Sequence, residues 1–252
     1  MNRIEESKPG IPRPGFQGIW LMDRTIRTKR DIEKLSRVYV IGTVPHVKQG
    51  KAVLTPEPAG PEQEAFRQIS TNLLFFFSKP GQKVIGVQSV RTGEGKSFVS
   101  ASLACCLASQ GKKVLLVEMN LRRPVLAALA GVSKEAGLRS CLKGRAFDEC
   151  IRETAHGFWL MPEGAAGGQE LLFDGEEFRS LIDRGRQAFD YVILDNAAVS
   201  GGHEGITAGQ LCDLNLFVLR SGRSRRNEIR FIHHLAAHGA IRNLAFVLND
   251  LP

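Results

Sequence analysis

The stretch that decides the fold reads Ser89-Val90-Arg91-Thr92-Gly93-Glu94-Gly95-Lys96-Ser97. An apolar segment at 83–88 precedes it and predicts a buried strand, and an Ala-rich segment at 96–110 predicts the helix that follows. A strand, a Gly-rich turn, Lys-Ser and a helix form the layout of a nucleotide phosphate-binding loop. Glycines let backbone N–H groups converge on one point, and the first turn of the helix adds its positive dipole end.

The side chains of this loop have separable predicted roles. Lys96 can reach the β- and γ-phosphates of a nucleotide, and the Ser97 hydroxyl can bind Mg²⁺. Val90 stands where the usual pattern has a glycine, so the alternative is an ordinary Gly-rich turn with an exposed lysine. The predicted nucleotide-binding residues of the loop are Thr92, Gly93, Glu94, Gly95, Lys96, Ser97 and Phe98.

Composition bounds the class of protein. The chain has 252 residues, of which 43% are hydrophobic, enough for one large domain or a domain with an appendage. No apolar run approaches the roughly 18–20 residues of a membrane span, and no secretory signal is visible. The five cysteines lack metal-ligand spacing, which indicates reduced thiols in the cytosol.

The net charge is +8, and residues 1–60 carry eleven Lys and Arg against six Asp and Glu. A solvated arm and a segment near an anionic membrane surface both explain this excess. Nucleic-acid binding is not expected, because aromatic residues are not interleaved with the charges. Further Arg and His clusters between 220 and 238 are expected to form a solvated face, and a contact with a subunit or an acidic partner is the alternative for the arginines.

Two domains are predicted, an N-terminal arm with a linker at 1–61 and an ATP-binding domain at 62–252. The first part contains a predicted helix at 20–35 and a strand at 38–44. Further predicted strands lie at 83–88, 113–118, 158–161, 191–195, 214–220 and 243–249. Predicted helices lie at 62–77, 96–110, 123–130, 134–142, 175–187 and 225–238. Strands that alternate with helices predict an α/β fold with a three-layer, doubly wound and mostly parallel sheet.

Polar residues at the ends of two predicted strands lie where such a sheet binds its ligands. Glu118 and Asn120 follow the second strand of the alternating region, and Asp195 ends the strand at 191–195. An acidic residue beside a phosphate loop can hold Mg²⁺ and orient the attacking group. A role as a turn or cap residue is the alternative for Asp195.

Several blocks together resemble the cytoplasmic catalytic domain of bacterial tyrosine kinases, the co-polymerase autokinases that control capsule and exopolysaccharide export. These blocks are Glu64–Arg67, Gly93–Ser97, Val114–Pro124 and Tyr191–Asp195. The resemblance covers about residues 20–252, and the segment from Leu21 to Pro45 is similar to the tail that follows the last membrane helix of the co-polymerase. It implies a P-loop fold related to the MinD/ParA ATPases, with ATP and Mg²⁺ as ligands.

The resemblance also implies residue roles. Lys96, Glu118 and Asp195 take catalytic positions, and Ser97, Asp195 and Asn120 take metal positions. Asn249 takes the position that contacts the adenine edge, and Glu64 and Arg67 belong to a helix motif for ring assembly. The implied partners are a membrane co-polymerase or polysaccharide export protein and further copies of this chain, which places the protein in the cytoplasm at the inner face of the cell membrane.

The sequence departs from the family pattern near the predicted chemistry. Glu118 and Asn120 replace the two acids of the family's Asp-x-Asp, and an amide is no general base. The two tyrosines, Tyr39 and Tyr191, do not form the family's terminal cluster of phosphate acceptors. We therefore expect nucleotide binding with weakened transfer to tyrosine. A dimerising MinD/ParA-like switch ATPase and a non-catalytic scaffold are the alternatives, and Arg91, near the signature lysine of that group, favours the switch.

Overall fold

The computed structural model describes residues 25–47, 60–77, 81, 83–165, 173–201 and 204–252. Within these ranges, no helix combines the length and the apolar character that a bilayer span requires. The strands are β1 (Val40–Pro45), β2 (Val84–Gln88), β3 (Val114–Glu118), β4 (Arg152–Glu153), β5 (Trp159–Met161), β6 (Tyr191–Asp195), β7 (Leu214–Arg220) and β8 (Leu244–Leu251).

These strands form one sheet in the order β1-β8-β7-β2-β6-β3-β5-β4. Every neighbouring pair is parallel except β4 and β5, which are antiparallel. The central strands β2 and β3 are buried along their whole length, as their continuous apolar runs predict. The carboxyl end of β2 therefore opens between β7 and β6, where a doubly wound sheet binds its ligand.

Helices cover both faces of the sheet. They are α1 (Lys29–Glu33), α2 (Pro61–Leu73), α3 (Lys96–Ser109), α4 (Leu126–Ala130), α5 (Leu138–Cys141), α6 (Glu176–Ala188), α7 (Glu204–Gly209) and α8 (Arg226–Ala237). Buried residues of α2 and α3 pack together in one apolar cluster, while those of α6 and of α8 belong to two other clusters. The predicted three-layer, mostly parallel α/β fold is confirmed.

Several local predictions differ from the structure. The predicted helix at 20–35 is observed only as α1, which Thr28 and Asp31 cap reciprocally, while residues 20–24 lie outside the described ranges. The helix predicted at 134–142 is the single turn α5, which begins after Gly137. The short elements β4 and α7 were not predicted, because two to six residues carry too little periodicity for a sequence signal.

The predicted N-terminal arm contributes a strand to the main sheet. Its strand β1 pairs in parallel with β8 and is contacted by α2, whose Asn72 side chain donates a hydrogen bond of 2.8 Å to the Ile41 carbonyl. The boundary between 1–61 and 62–252 stays a prediction. The described part of the arm is an edge of the same sheet.

Candidate nucleotide-binding site

The loop between β2 and α3 has the backbone shape that an anion cradle requires. Gly93 and Gly95 have φ angles of 85° and 94°, a region that residues with a Cβ rarely adopt. A Cβ on Gly95 would also overlap the Asn249 side-chain amide. Among the described residues no acceptor is seen for the amides of 92–95, and the first amides of a helix lack intrahelical partners. These donors can therefore turn toward a bound phosphate.

Lys96 begins α3, and its ammonium group lies inside the loop. The residue is 6% exposed, and Nζ donates a hydrogen bond of 2.9 Å to the Ser89 hydroxyl. Burial lowers the pKa of Lys96, while the carboxylates of Asp195 and Glu94 act in the opposite direction. The two carboxylates favour the charged form of Lys96, and this buried ammonium group can neutralise a phosphate that enters the loop.

Ser97 and Asp195 meet across the gap between α3 and β6. The Ser97 hydroxyl donates to Asp195 Oδ2 at 2.6 Å, and the Ser100 hydroxyl donates to Oδ1 at 3.1 Å. Complete burial raises the pKa of Asp195 to about 6, against the effect of both hydroxyls and of Lys96. Hydroxyl and carboxylate oxygens are the hard ligands that Mg²⁺ prefers, so Ser97 and Asp195 fit the metal predicted at this position.

Glu118 lies beside Asp195 in the register of β3 and β6, but its carboxylate serves a neighbouring helix. Its Oε1 accepts hydrogen bonds from the Val125 and Leu126 amides, both at 2.6 Å, and Oε2 accepts one of 3.3 Å from the Glu163 amide. Three backbone donors therefore hold this 1% exposed side chain at the start of α4. The catalytic role of Glu118 stays a prediction.

Asn120 lies two residues beyond β3 in a turn. It is half-buried, and its carbonyl accepts a hydrogen bond of 3.3 Å from the Arg123 amide. In the part of the chain that the structure describes, no hydrogen bond to its side-chain amide is seen, so the amide is available to a ligand. Its role as a metal ligand stays a prediction.

The side chains of Glu94, Asn249 and Phe98 contact other parts of the chain. The buried Glu94 carboxylate accepts hydrogen bonds from the Arg91 amide, at 2.9 Å, and from the Ser224 hydroxyl. The Asn249 side-chain amide donates to the Glu94 carbonyl at 3.0 Å. The Phe98 ring packs edge-on against Phe66 of α2. Contacts of these three residues with a nucleotide stay predictions, and so does a contact of the exposed Thr92.

Two arginines that the sequence placed on a solvated face lie on the phosphate loop. Arg220 donates to the Gly93 carbonyl at 3.0 Å, and Arg223 donates to the Thr92 carbonyl at 3.3 Å. Arg223 is exposed and Arg220 is half-buried, so the expected solvated face holds for Arg223, while the contacts of both side chains with the loop were not predicted. Their clustering was visible in the sequence, but their distance from the loop, about 130 positions along the chain, hid the contact.

Arg91 is also held within the chain. Its Nε lies 2.7 Å from the Glu228 carboxylate of α8, which is 3% exposed. Burial and the nearby Glu94 raise the pKa of Glu228 to about 7, and Arg91 opposes this shift. The ion pair between Arg91 and Glu228 therefore connects the phosphate loop to α8.

The predicted interface residues Glu64 and Arg67 lie on the exposed side of α2. Their side chains are 56% and 54% exposed and approach each other to 3.5 Å. Ser70, one turn further, points the other way and accepts a hydrogen bond of 2.8 Å from Gln110. Glu64 and Arg67 are therefore accessible to a partner, and their role in assembly stays a prediction.

The sheet is mostly parallel, its glycine loop leads into a helix that begins with the buried Lys96 and the half-buried Ser97, and Asp195 ends the adjacent strand β6. These features define the class of P-loop nucleotide-binding proteins. The family comparison agrees with this class. Residues 85–250 match the model of the CobQ/CobB/MinD/ParA nucleotide binding domain, and the chain belongs to that family.

Curated relatives are more specific. Over 192 residues the chain is 28% identical to the tyrosine-protein kinase ptk of Acinetobacter johnsonii, an alignment that covers 75% of this chain and 26% of that protein. It is 29% identical to the tyrosine-protein kinase CpsD of Streptococcus agalactiae (strain NEM316), with 75% and 82% covered. It is 28% identical to the succinoglycan biosynthesis transport protein ExoP of Rhizobium meliloti (strain 1021), with 72% and 24% covered. The chain thus spans about a quarter of the two longer relatives.

Solved structures share the fold. The kinase domain of the Escherichia coli tyrosine kinase ETK superposes with a TM-score of 0.78 at 23% identity, covering 85% of this chain and 91% of that one. The cell division ATPase MinD of Pyrococcus furiosus superposes with a TM-score of 0.55 at 24% identity, covering 68% and 76%. At these identities the likeness concerns the fold alone.

Proposed function

We propose that this chain binds ATP with Mg²⁺ at its P-loop and regulates exopolysaccharide or capsule assembly as a protein of the bacterial tyrosine-kinase type. The observation that carries the proposal is the arrangement of Lys96, Ser97 and Asp195 at the carboxyl ends of β2 and β6. The names of the kinase and transport relatives support the process. A related MinD from Pyrococcus horikoshii, described as complexed with Mg-ADP, supports the ligand.

The residues of the loop have different proposed roles in binding ATP and Mg²⁺. Lys96 would exchange its hydrogen bond with Ser89 for the phosphate oxygens, and the converging amides of 92–97 would hold the same anion. Ser97 and Asp195 would hold Mg²⁺, with Asn120 as a further oxygen donor. When bound, the metal neutralises the charge that develops on the transferred phosphoryl group.

Transfer to a tyrosine hydroxyl on another chain is proposed to be slow. The Glu118 carboxylate is occupied by three backbone amides, and the amide of Asn120 accepts no proton. A group displaced by about 1 Å from its productive position can cost on the order of 10²-fold in rate. In this proposal the chain retains ATP binding, while the groups that would activate the tyrosine hydroxyl are less effective.

A second function is favoured by the same Glu118 contacts, that of an ATP-binding scaffold without phosphoryl transfer. In both cases the exposed Glu64 and Arg67 pair on α2 would contact a second copy of the chain. A membrane co-polymerase at the inner face of the cell membrane is the proposed larger partner.

The experiment that tests the proposal compares Mg-ATP affinity in the natural chain, Lys96→Ala and Lys112→Ala. Lys112 is an exposed lysine just beyond the other end of α3 and serves as the matched control. Loss of a charge-assisted phosphate contact is worth about 3 kcal/mol, or about 100-fold in affinity. A loss of only a few fold in Lys96→Ala, or an equal loss in Lys112→Ala, contradicts the assignment.

A second measurement separates the candidate functions. The natural chain is incubated with labelled ATP, Mg²⁺ and a tyrosine-bearing partner chain. Labelled tyrosine supports the kinase, whereas phosphate release with ATP-dependent dimers and no labelled tyrosine supports a switch ATPase. Binding without either product supports the scaffold.

A further inference from the structure

A cavity of about 1080 Å³ lies far from the P-loop. The connection from α1 to β1 forms one wall, the C-terminal half of α8 forms another, and the turn into β8 forms the third. These segments lie where β1 and β8 begin, whereas the P-loop follows the end of β2 in the same parallel array. The cavity therefore lies at the side of the sheet where the parallel strands begin, and the candidate nucleotide site lies at the side where they end. The volume of the cavity is slightly above the range of roughly 300–1,000 Å³ that is typical of small-molecule sites.

The rim of this cavity is positively charged. Lys34, Arg37 and Arg242 are exposed cations in its lining, and no carboxylate of the described residues forms an ion pair with them. Glu33 is the acid in the lining, and its carboxylate already lies 3.6 Å from the Lys29 ammonium. Three cations against one paired acid leave a surplus of positive charge around the opening.

The inner wall offers a fixed polar group and an apolar surface. Ser36, 8% exposed, accepts a hydrogen bond of 2.9 Å from the Val38 amide and shares one of 2.8 Å with His233 Nε2. This pair fixes the imidazole ring in the wall. Asn243 and five apolar residues line the remainder of the cavity, the apolar ones being Leu35, Val38, Ala236, Ile241 and Leu244.

We propose that this cavity is a second anion site, which binds the phosphate group of an organic phosphate ester. A phosphate monoester carries close to two negative charges at neutral pH and needs more than one cation, which Arg37, Arg242 and Lys34 supply. Arginine presents a planar fork that matches phosphate oxygens. The apolar wall accommodates the carbon part of the ester.

A nucleic acid fits this cavity less well than a phosphate ester. Binding of a single strand relies on aromatic side chains on which bases stack, and the lining contains no Phe, Tyr or Trp. The phosphate chemistry has two sources, a phospholipid headgroup at a membrane surface or a soluble phosphate ester. Two probes distinguish them, namely vesicles of phosphatidic acid in phosphatidylcholine and sn-glycerol 3-phosphate in solution.

The test uses the full chain and a double variant, Arg37→Gln with Arg242→Gln. Both side chains are exposed, so the fold is expected to persist, and an unchanged thermal unfolding midpoint verifies this. The matched control is Lys112→Gln with Lys143→Gln, which removes two exposed cations elsewhere on the surface. The relevant probe is the one that the natural chain binds. We expect the double variant to bind this active probe at least about tenfold more weakly, since each charged contact is worth about 1 kcal/mol or more. The control is expected to bind like the natural chain.

A charge-increasing variant tests the same site in the other direction. Glu33→Gln removes the acid from the lining, and we expect tighter binding of the active probe by about threefold at low salt. Binding to vesicles alone identifies a lipid headgroup, and binding of glycerol phosphate identifies a soluble ester; both support the site. No binding of either probe, or equal binding by the double variant and the natural chain, overturns it. Because Lys96→Ala leaves this cavity intact, failure of the P-loop assignment is seen separately.

Discussion

The Ser97 hydroxyl donates a 2.6 Å hydrogen bond to the Asp195 carboxylate and so joins the first turn of α3 to the end of β6. The two residues are 98 positions apart in the sequence, yet their oxygen atoms form the pair that a magnesium site requires. The Ser100 hydroxyl holds the second carboxylate oxygen, so two hydroxyls of α3 fix the orientation of Asp195.

Asp195→Asn is expected to remove the magnesium-dependent part of ATP binding. The amide keeps the size of the side chain but loses the charge that attracts Mg²⁺, so ATP affinity with Mg²⁺ should fall at least about tenfold. ATP affinity without Mg²⁺ should change little. Titrations with and without the metal measure the difference, and Asp148→Asn, an exposed acid near α6, is the control. An equal response to Mg²⁺ in Asp195→Asn and the natural chain would remove Asp195 from the metal site.

Gly95→Ala is expected to destabilise the protein through an overlap as well as through its backbone. The left-handed backbone costs an alanine roughly 1 kcal/mol, and the new methyl group would also displace the Asn249 amide that holds the Glu94 carbonyl. Gly144→Ala is a matched control, because Gly144 has a φ angle of 95° and open space around it. Urea unfolding should show a larger loss for Gly95→Ala. Equal losses would mean that the Asn249 contact is not important.

Glu118→Ala is expected to reduce stability more than ATP binding. The change leaves the buried Leu126 amide and the partly exposed Val125 amide without their acceptor, which costs about 2 kcal/mol. Urea unfolding measures this loss, and Glu149→Ala, an exposed glutamate, should show little change. ATP affinity of the folded variant should stay within a few fold of the natural value. A large loss of ATP affinity with unchanged stability would assign Glu118 to the ligand site instead.

Glu228 is expected to make stability depend on pH. Its pKa is raised to about 7 in the folded chain, above its ordinary value of 4.5, because it is buried near Glu94, although Arg91 faces it. The folded state therefore holds this proton more tightly, so the contribution to stability is complete below about pH 4.5 and is lost as the pH rises through about 7.

The urea midpoint measured from pH 5 to pH 8 checks this. Glu228→Gln carries no titrating proton and should flatten part of the decline that the natural chain shows. Asp195, whose pKa is raised to about 6, titrates in both proteins, so its part of the decline in stability is the same in both. Identical pH profiles would show that Glu228 does not titrate in this range.

The phosphate loop and the strands were predictable because their signals are local. The strand predicted at 191–195 matches β6, and that at 214–220 matches β7, since continuous apolar runs indicate strands buried on both faces. Lys96 and Ser97 were found from their position after the glycines. Periodicity failed for the helix at 134–142, because a one-turn helix such as α5 depends on what packs around it.

The amino-acid sequence by itself determined most of the order of strands and helices and the Gly-rich loop, and it predicted which residues would hold a phosphate and a metal. Only the tertiary structure decided that Glu118 caps α4, that Arg220 and Arg223 bind the loop carbonyls, and that Ser36 meets His233 beside a basic cavity. The physical reason is distance along the chain. The spacing of hydrophobic residues and the residue types in turns determine structure over a few residues. The partner of a charged side chain, in contrast, depends on the packing of segments that are far apart in the sequence.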